Sequence, residues 1–555
     1  MDRISERGWL GLVVLLAAVA GAVSTWTGFA APLTIQDDAR QFVFWMAEWR
    51  NQDLFAGDLV ADYWRSVTPW LFASFYRAFD FLGIVPVTTA RLLPVILFPL
   101  TALFAFRFAR AISPDPRVAC LGALFLMLAL VSSDSVVSAT PRAFAPLFFL
   151  IFLDGLARRT MVQMAIGLFC LAGFYPIVAV VAATALGIAL IDFSDRPRIK
   201  LSAANLAFVA VGLLASAVGV APFLIDSTQF GPTATVDAAR EMATFAADGR
   251  TSVFGPDGKI DFICHRRIGL VKDCDSLFDP FVLFLFVAMA AAPTFLLVRH
   301  IKSCGKSGSV IPFVVGVAAV SWFVVAAIFA FKLHVPNRFI LRVTPAAVAL
   351  PYGLLVGEAV RNGLAFAFSN GTRRRIEIIA MLIGLIGYLA IVAGQSHRYF
   401  ATWNNPNLAA AIADLPVGTT VAGFVKDADF VPIMAKRQVL FSRELSVALH
   451  LGYYQQIEIR MRDMLDVQWT PDMAVLTEKL GRHPVDIFMI TAEGLSKRVL
   501  GGRFEGMLGN FVERKRAEFG DAPTALSRLA PNCQRGTFDG IQLLDAQCLI
   551  ATAKQ

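Results

Sequence analysis

Apolar residues in this chain gather into long unbroken blocks, separated by short charged stretches, from about residue 9 to residue 395. Blocks of this length, with almost no charge inside them, predict bilayer-crossing helices rather than amphipathic surface helices or alternating strands. About eleven spans follow from this pattern, at 9–28, 86–106, 117–132, 143–156, 161–174, 176–191, 201–224, 280–299, 309–331, 339–360 and 376–395. Beyond 395 the pattern changes. Short strand-like runs at 420–425, 439–442 and 485–490 alternate with helix-like stretches at 457–467 and 471–480. This predicts a small soluble α/β domain over 396–555, attached to a transmembrane module over 1–395.

Composition agrees with that division. The chain is 57% hydrophobic and 17% charged over 555 residues, with a mean hydropathy of +0.62, more apolar surface than a soluble protein of this size could bury. The formal charge of +8 therefore gives no argument for nucleic acid as a partner. Much of its basic excess lies in short loops, where Lys and Arg set orientation. Arg107, Arg110 and Arg117 fall on one side. So do Arg158 with Arg159; Arg196, Arg198 and Lys200; Arg299, Lys302 and Lys306; and Arg361 with Arg373–Arg375. That side is cytoplasmic by the positive-inside rule, and it takes the N-terminus with it. The basic residues at both ends of 161–191 require two crossings there, turning at 174–176. The first span, preceded by Arg3 and Arg7, is long for a signal peptide core and is expected to be retained.

Four segments then face outward: a first loop (29–85), a short loop around 132–142, a long loop (226–279) and the C-terminal region. Cys264 and Cys274 share the long loop, and Cys533 and Cys548 share the C-terminal region, so each pair is expected to form a disulfide on an oxidising side. Cys120, Cys170 and Cys304 fall in spans or on the cytoplasmic side, where thiols stay free.

The first outer loop concentrates the chemistry. It opens with the adjacent carboxylates Asp37 and Asp38, followed by Arg40, and carries Asp58, Asp62 and several aromatic residues. One reading is structural: either aspartate caps a helix over 38–50, whose stripe of Phe42, Trp45, Met46 and Trp49 lies in the bilayer interface. One carboxylate suffices for a cap, however, and two leave one for catalysis or metal binding. Arg77, Asp80 and Arg91 either face a cavity or belong to a surface helix between 68 and 83. Lys332, His334 and Arg338 lie in an outer loop, against the charge rule, as does Arg142. These cations either reach back to the interface or hold a phosphate there. Basic residues of the long loop, His265, Arg266 and Arg267, would suit an anionic substrate.

The acidic pair opening the first outer loop, the outer cations, the many spans and the outer C-terminal region together resemble the GT-C class of integral-membrane glycosyltransferases. The segment from Gln36 to Trp64 also resembles bacterial membrane proteins of this type. Lys332, His334 and Arg338 match loosely the residues with which that class holds a lipid phosphate. The chain lacks the tryptophan-rich motif of oligosaccharyltransferases. The resemblance implies a multi-pass protein of the bacterial inner membrane with a periplasmic C-terminal domain. It implies transfer of a sugar from a polyprenyl-phosphate donor to a glycolipid, polysaccharide or protein acceptor. Such a donor brings its own leaving group, so the residue required is a base for the acceptor hydroxyl, Asp37 or Asp38, acting with inversion. Arg40, Asp62, Arg142, Lys332, His334 and Arg338 would bind substrate. A divalent metal at the acidic pair is compatible with this chemistry and not required by it. A transporter or flippase for a lipid-linked or anionic substrate would instead place charges deep in the spans, which are almost free of them. A non-catalytic scaffold would leave the acidic loop without a role.

Overall fold

A computed structural model of the chain describes residues 5–193, 198–226, 229–272, 274–303, 307–501 and 504–555. Arg3, Arg196, Cys304 and Lys306 lie outside the described residues, as do the side chains of Arg373 and Arg374. Each of the expected spans is a helix: Glu6–Phe29, Pro86–Ile112, Pro116–Val131, Ala145–Arg158, Met161–Phe174, Pro176–Ile188, Ala203–Asp226, Pro280–Ser303, Ile311–Ile328, Leu350–Ala367 and Asn370–Gln395. Among the described residues, 6 helices are long and apolar enough to cross a membrane, and the chain is a polytopic helical membrane protein. The span expected at 339–360 is corrected. A short helix at Arg338–Leu341 and a widened turn at Pro345–Ala349 come first, and the regular helix begins only at Leu350.

Small residues let these helices approach closely. A Cβ on Gly21 would sit 2.6 Å from the Pro94 carbonyl, so the first helix packs on Pro86–Ile112 backbone to backbone. Gly122 and Gly353 do the same for Pro116–Val131 against Leu350–Ala367. Charge sorts to the two ends of the bundle. At one end Arg107 and Arg158 hold the fully buried Asp154, Arg110 holds Glu6, and Arg361 reaches Asp115. The opposite end carries the first loop, the loops at 132–142 and 329–345, and the C-terminal region.

That region folds around a 5-stranded sheet in the order Gln438–Val439, Thr420–Ala422, Ile487–Thr491, Ile541–Asp545, Gln534–Phe538. The first three strands are parallel and the last two antiparallel. Ile487–Thr491 is apolar on both faces, as a strand covered by helices on each side must be. The closing hairpin turns at Asp539–Gly540, both with positive φ, which an Asp-Gly pair allows at little cost. The region does not hang free of the membrane module. Phe400–Thr402 pairs with Thr34–Gln36 of the first loop, and Tyr453 stacks on Tyr63 at 3.7 Å between ring centres. Cys264 is bonded to Cys274 and Cys533 to Cys548, while Cys120 and Cys170 are free thiols.

The amphipathic stripe of the first loop is also corrected. Residues 38–50 break into a short helix, Ala39–Val43, and a tighter turn, Phe44–Trp49. Trp45 and Met46 are buried within the protein instead of lying in the bilayer interface. Asp80 pairs with Arg50 at 2.7 Å and with Arg77 at 3.5 Å on the helix Trp70–Phe81, so these charges belong to a surface helix.

Candidate functional site

The segment leading into Asp37 is pinned before either aspartate acts. Pro94 has no N–H to give to the Ala90 carbonyl one turn earlier, and the buried amide of Gln36 donates to that carbonyl at 2.6 Å. Arg91 donates to the Thr34 carbonyl at 3.0 Å, so it clamps the strand and does not face a cavity. The Asp37 N–H donates to the Tyr399 carbonyl at 2.9 Å.

From this fixed backbone the two carboxylates diverge. Asp38 stands at the N-cap of Ala39–Val43 but makes no cap bond. Its side chain instead accepts from Arg142, which also reaches Asp134 at 2.9 Å. Asp134 in turn pairs with Arg342 at 3.1 Å, and Arg342 donates to Ser135 at 2.7 Å. Burial alone would raise the pKa of Asp38, but the Arg142 guanidinium, helped by Arg338, outweighs it and holds the group below the usual carboxylate range. Asp134 is likewise held well below that range: burial pushes it up, and Arg142 and Arg342 more than offset this. Arg142 is thus paired with two carboxylates.

Asp37 is different. Its side chain is 54% exposed and pairs with Arg40, whose guanidinium lies over Phe430 at 4.6 Å and 3.7 Å from Glu444. Its pKa is raised, first by the protein around it, with Glu444 and Asp38 adding repulsion that Arg40 only partly offsets. Glu444 gathers the neighbourhood. It accepts from Gln41, pairs with Arg250 of the long loop at 3.1 Å, and its N–H donates to Asp429 at 2.8 Å. Burial, with Glu444 adding repulsion, pushes Asp429 up to about 6.

Near these carboxylates lie cations held in no close ion pair, though Asp134 and Glu444 still attract them. Among the described residues no ion pair occupies Arg338, or Arg266, Arg267 and Lys272 on the disulfide-closed loop. Burial, then repulsion by Arg250 and Arg338, lowers Arg267 to about 10. Lys272 is lowered mainly by burial, opposed by Asp134, with Arg342 and Arg338 adding to the lowering. Cations that depress one another's pKa make a ready site for a phosphate.

The other expected ligands separate. Lys332 is exposed, and no contact of its side chain joins it to this group among the described residues. His334 is not an ordinary outer cation. Burial, reinforced by Arg338 and His450, drops its pKa to about 3, and its Nδ1 accepts from the Val335 N–H at 2.7 Å. Its ring sits in a positive-φ turn. Asp62 pairs with Arg65 at 2.9 Å and lies apart from Asp37. Asp134, Arg342, Arg250 and Glu444 enter only with the structure. Asp134 had a signal, since Ser132–Ser133–Asp134–Ser135 interrupts an apolar run. Arg342 was hidden inside an expected span, and nothing local marks Glu444.

A metal does not fit this arrangement. Asp38 and Asp134 are already neutralised by Arg142 and Arg342, and no group of three His, Cys, Asp or Glu side chains could hold an ion among the described residues.

No family model and no curated protein matches the sequence. The structure matches the oligosaccharyltransferase AglB of the archaeon Archaeoglobus fulgidus. In complex with an inhibitory peptide and a dolichol-phosphate, that enzyme aligns with a TM-score of 0.50 and 12% identity, covering 91% of this chain and 72% of the other. Its apo form aligns with a TM-score of 0.51 over the same shares. The form tethered to an acceptor peptide containing the NVT sequon gives 0.50, at 12% identity, over 96% of this chain and 73% of the other. AglB is a GT-C membrane glycosyltransferase, and this chain shares its fold.

Proposed function

We propose that this protein is a GT-C membrane glycosyltransferase that moves a sugar from a polyprenyl-phosphate donor to an acceptor hydroxyl, with Asp37 as general base. One observation carries the reading: the half-exposed, weakly acidic Asp37 faces the same end of the bundle as a group of cations that no carboxylate occupies. The Asp37 carboxylate takes the proton of the acceptor hydroxyl. The freed oxygen attacks the anomeric carbon, and the carbon–oxygen bond to the phosphate breaks. The electron pair leaves with the phosphate, whose growing charge Arg338, Arg267 and Lys272 meet. Attack opposite the leaving group inverts the anomeric centre. Asp38 is a positioning residue: its ion pair holds Arg142 and, through Asp134, Arg342 around the donor site. Arg40 poises Asp37.

Several features support the setting. AglB has been captured with a dolichol-phosphate, a lipid phosphate of the donor's class, and with an acceptor peptide. The basic ends of the bundle suit a cytoplasmic face of a bacterial inner membrane, with eleven crossings, a cytoplasmic N-terminus and a periplasmic region from 396 onward. Both disulfides lie on the outer side of that arrangement, as an oxidising compartment demands. The charges collect at the two ends of the bundle rather than at mid-depth, which favours surface chemistry over translocation.

The test is transfer by purified protein in lipid, using radiolabelled polyprenyl-phosphate sugars and a crude membrane acceptor pool. Label moving to an acceptor is expected. Neither transfer nor donor hydrolysis with any common sugar would overturn the reading.

A further inference from the structure

A polar cavity lies against the first loop and shares no residue with the Asp37 group. It has a volume of about 400 Å³, within the ordinary range for small-ligand pockets, and is lined by Trp45, Glu48, Trp49, Asp62, Arg65 and Arg77, among others. Two faces of one short helix explain its position. On Leu59–Ser66, Tyr63 and Trp64 turn inward, where Tyr63 stacks on Tyr453 and the Trp64 indole donates to the Leu445 carbonyl at 3.1 Å. Asp62 and Arg65 turn outward into the cavity. Its far wall is Trp70–Phe81, whose last residue, Phe81, is strongly exposed beside Leu82 at the apolar rim of the bundle.

The lining has a definite chemistry. Arg65 bridges Glu48 at 2.5 Å and Asp62 at 2.9 Å, which fixes all three polar groups in one array. Arg65 lies over the Trp45 ring at 5.8 Å, and Arg77 over the Trp49 ring at 5.1 Å. The two indoles meet edge to face at 5.6 Å. The named carboxylates and guanidiniums balance, in contrast to the cation excess around Arg338, so this cavity does not select a phosphate. Trp49, half-buried over the buried Trp45, offers aromatic surface beside fixed, alternating donors and acceptors. A neutral ring with an apolar face and a rim of hydroxyls matches that pattern.

We infer that this cavity is a binding subsite for a neutral saccharide, which engages the glycan of an acceptor at the membrane rim. The acceptor role rests on the glycosyltransferase reading; saccharide binding itself does not. Asp62, separated from the acidic pair, thereby acquires its place, and so does the Trp45–Trp49 pair.

The test is saturation-transfer difference NMR on the full-length protein in phosphatidylcholine nanodiscs, titrated with methyl α-mannoside, N-acetylglucosamine and lactose. Saturable binding of at least one sugar is expected. Glu48→Gln, Asp62→Asn and Trp49→Ala should each weaken it at least tenfold, and Asp37→Asn should leave it unchanged. Either of the first two conservative changes decides the matter if Trp49→Ala fails to fold. No saturable signal with any of the three sugars overturns the inference, and so does binding that ignores these variants. Glycerol 3-phosphate binding in place of sugar would assign a lipid headgroup and overturn it equally. Because the readout is binding and Asp37→Asn retains it, loss of the transferase reading and loss of this subsite are told apart.

Discussion

A general base must be ionised at working pH and still basic enough to accept a proton. Of the adjacent pair, Asp37 meets that requirement and Asp38 does not, because one is walled by protein near Glu444 and the other is locked to Arg142. As the proposed base, Asp37 acts deprotonated, so kcat/KM should be lost as pH falls through its raised pKa. That acid limb should lie above the 3.8 of an ordinary aspartate. Arg40→Ala removes a cation that lowers this pKa and should move the limb to still higher pH; a pH–rate profile of both proteins checks it. Asp58 gives a stability prediction. Burial raises it from 3.8 to about 7, and its Oδ2 has no partner. A carboxylate raised on folding binds its proton more tightly in the native state, so its contribution falls as pH rises from about 4 to about 7, by roughly 1.4 kcal/mol per unit. Asp58→Asn keeps the acceptor for the Val60 N–H and should flatten that slope in thermal unfolding, with a higher Tm than wild type at pH 7. The acidic pair was legible in sequence as chemistry. Which member does what was not, because that depends on Arg142 and Glu444, brought in from residues 104 and more than 400 positions away.

Long-range contact also decides what each element does. The Cys264–Cys274 link closes a loop whose Arg266, Arg267 and Lys272 face Arg338. Cys264→Ser with Cys274→Ser should release about 2–4 kcal/mol of constraint and weaken donor binding several-fold, whereas Cys533→Ser with Cys548→Ser should spare donor affinity. Equilibrium binding of a polyprenyl phosphate to each variant reads this. Within the bundle, Gly21→Leu would force a side chain into the Pro94 carbonyl and should cost about 1–3 kcal/mol, seen as a lower Tm in detergent. The helices were legible because a block of apolar residues leaves few alternatives. The breaks were less so: apolar sequence continues through 339–349, yet the regular helix starts at Leu350, and Arg342 is freed to reach Asp134. The hairpin at Asp539–Gly540 carried a plain turn signal, while the strands beside it are short and mixed in polarity.

At the scale of the molecule, four outer segments, the loop at 329–345 with Arg338 and Arg342 among them, and the C-terminal region build the proposed site. The first loop supplies Asp37 and Asp38, the loop at 132–142 supplies Asp134 and Arg142, the long loop supplies Arg250 and Arg267, and the C-terminal region supplies Glu444 and Asp429. Sequence division into a membrane module and an attached domain captured the two kinds of composition but not their union, since strand pairing between Thr34–Gln36 and Phe400–Thr402 leaves no periodic trace. Because the site is shared, loss of activity in a variant has two causes to separate, loss of donor and loss of base. The decisive measurement is therefore made on Asp37→Asn in nanodiscs, with donor binding and single-turnover sugar transfer recorded on the same preparation. Donor bound as in wild type with transfer slowed at least ~10²-fold is the expected result. Transfer at the wild-type rate in that variant would contradict the assignment of Asp37 as the base and, with it, the account of the site.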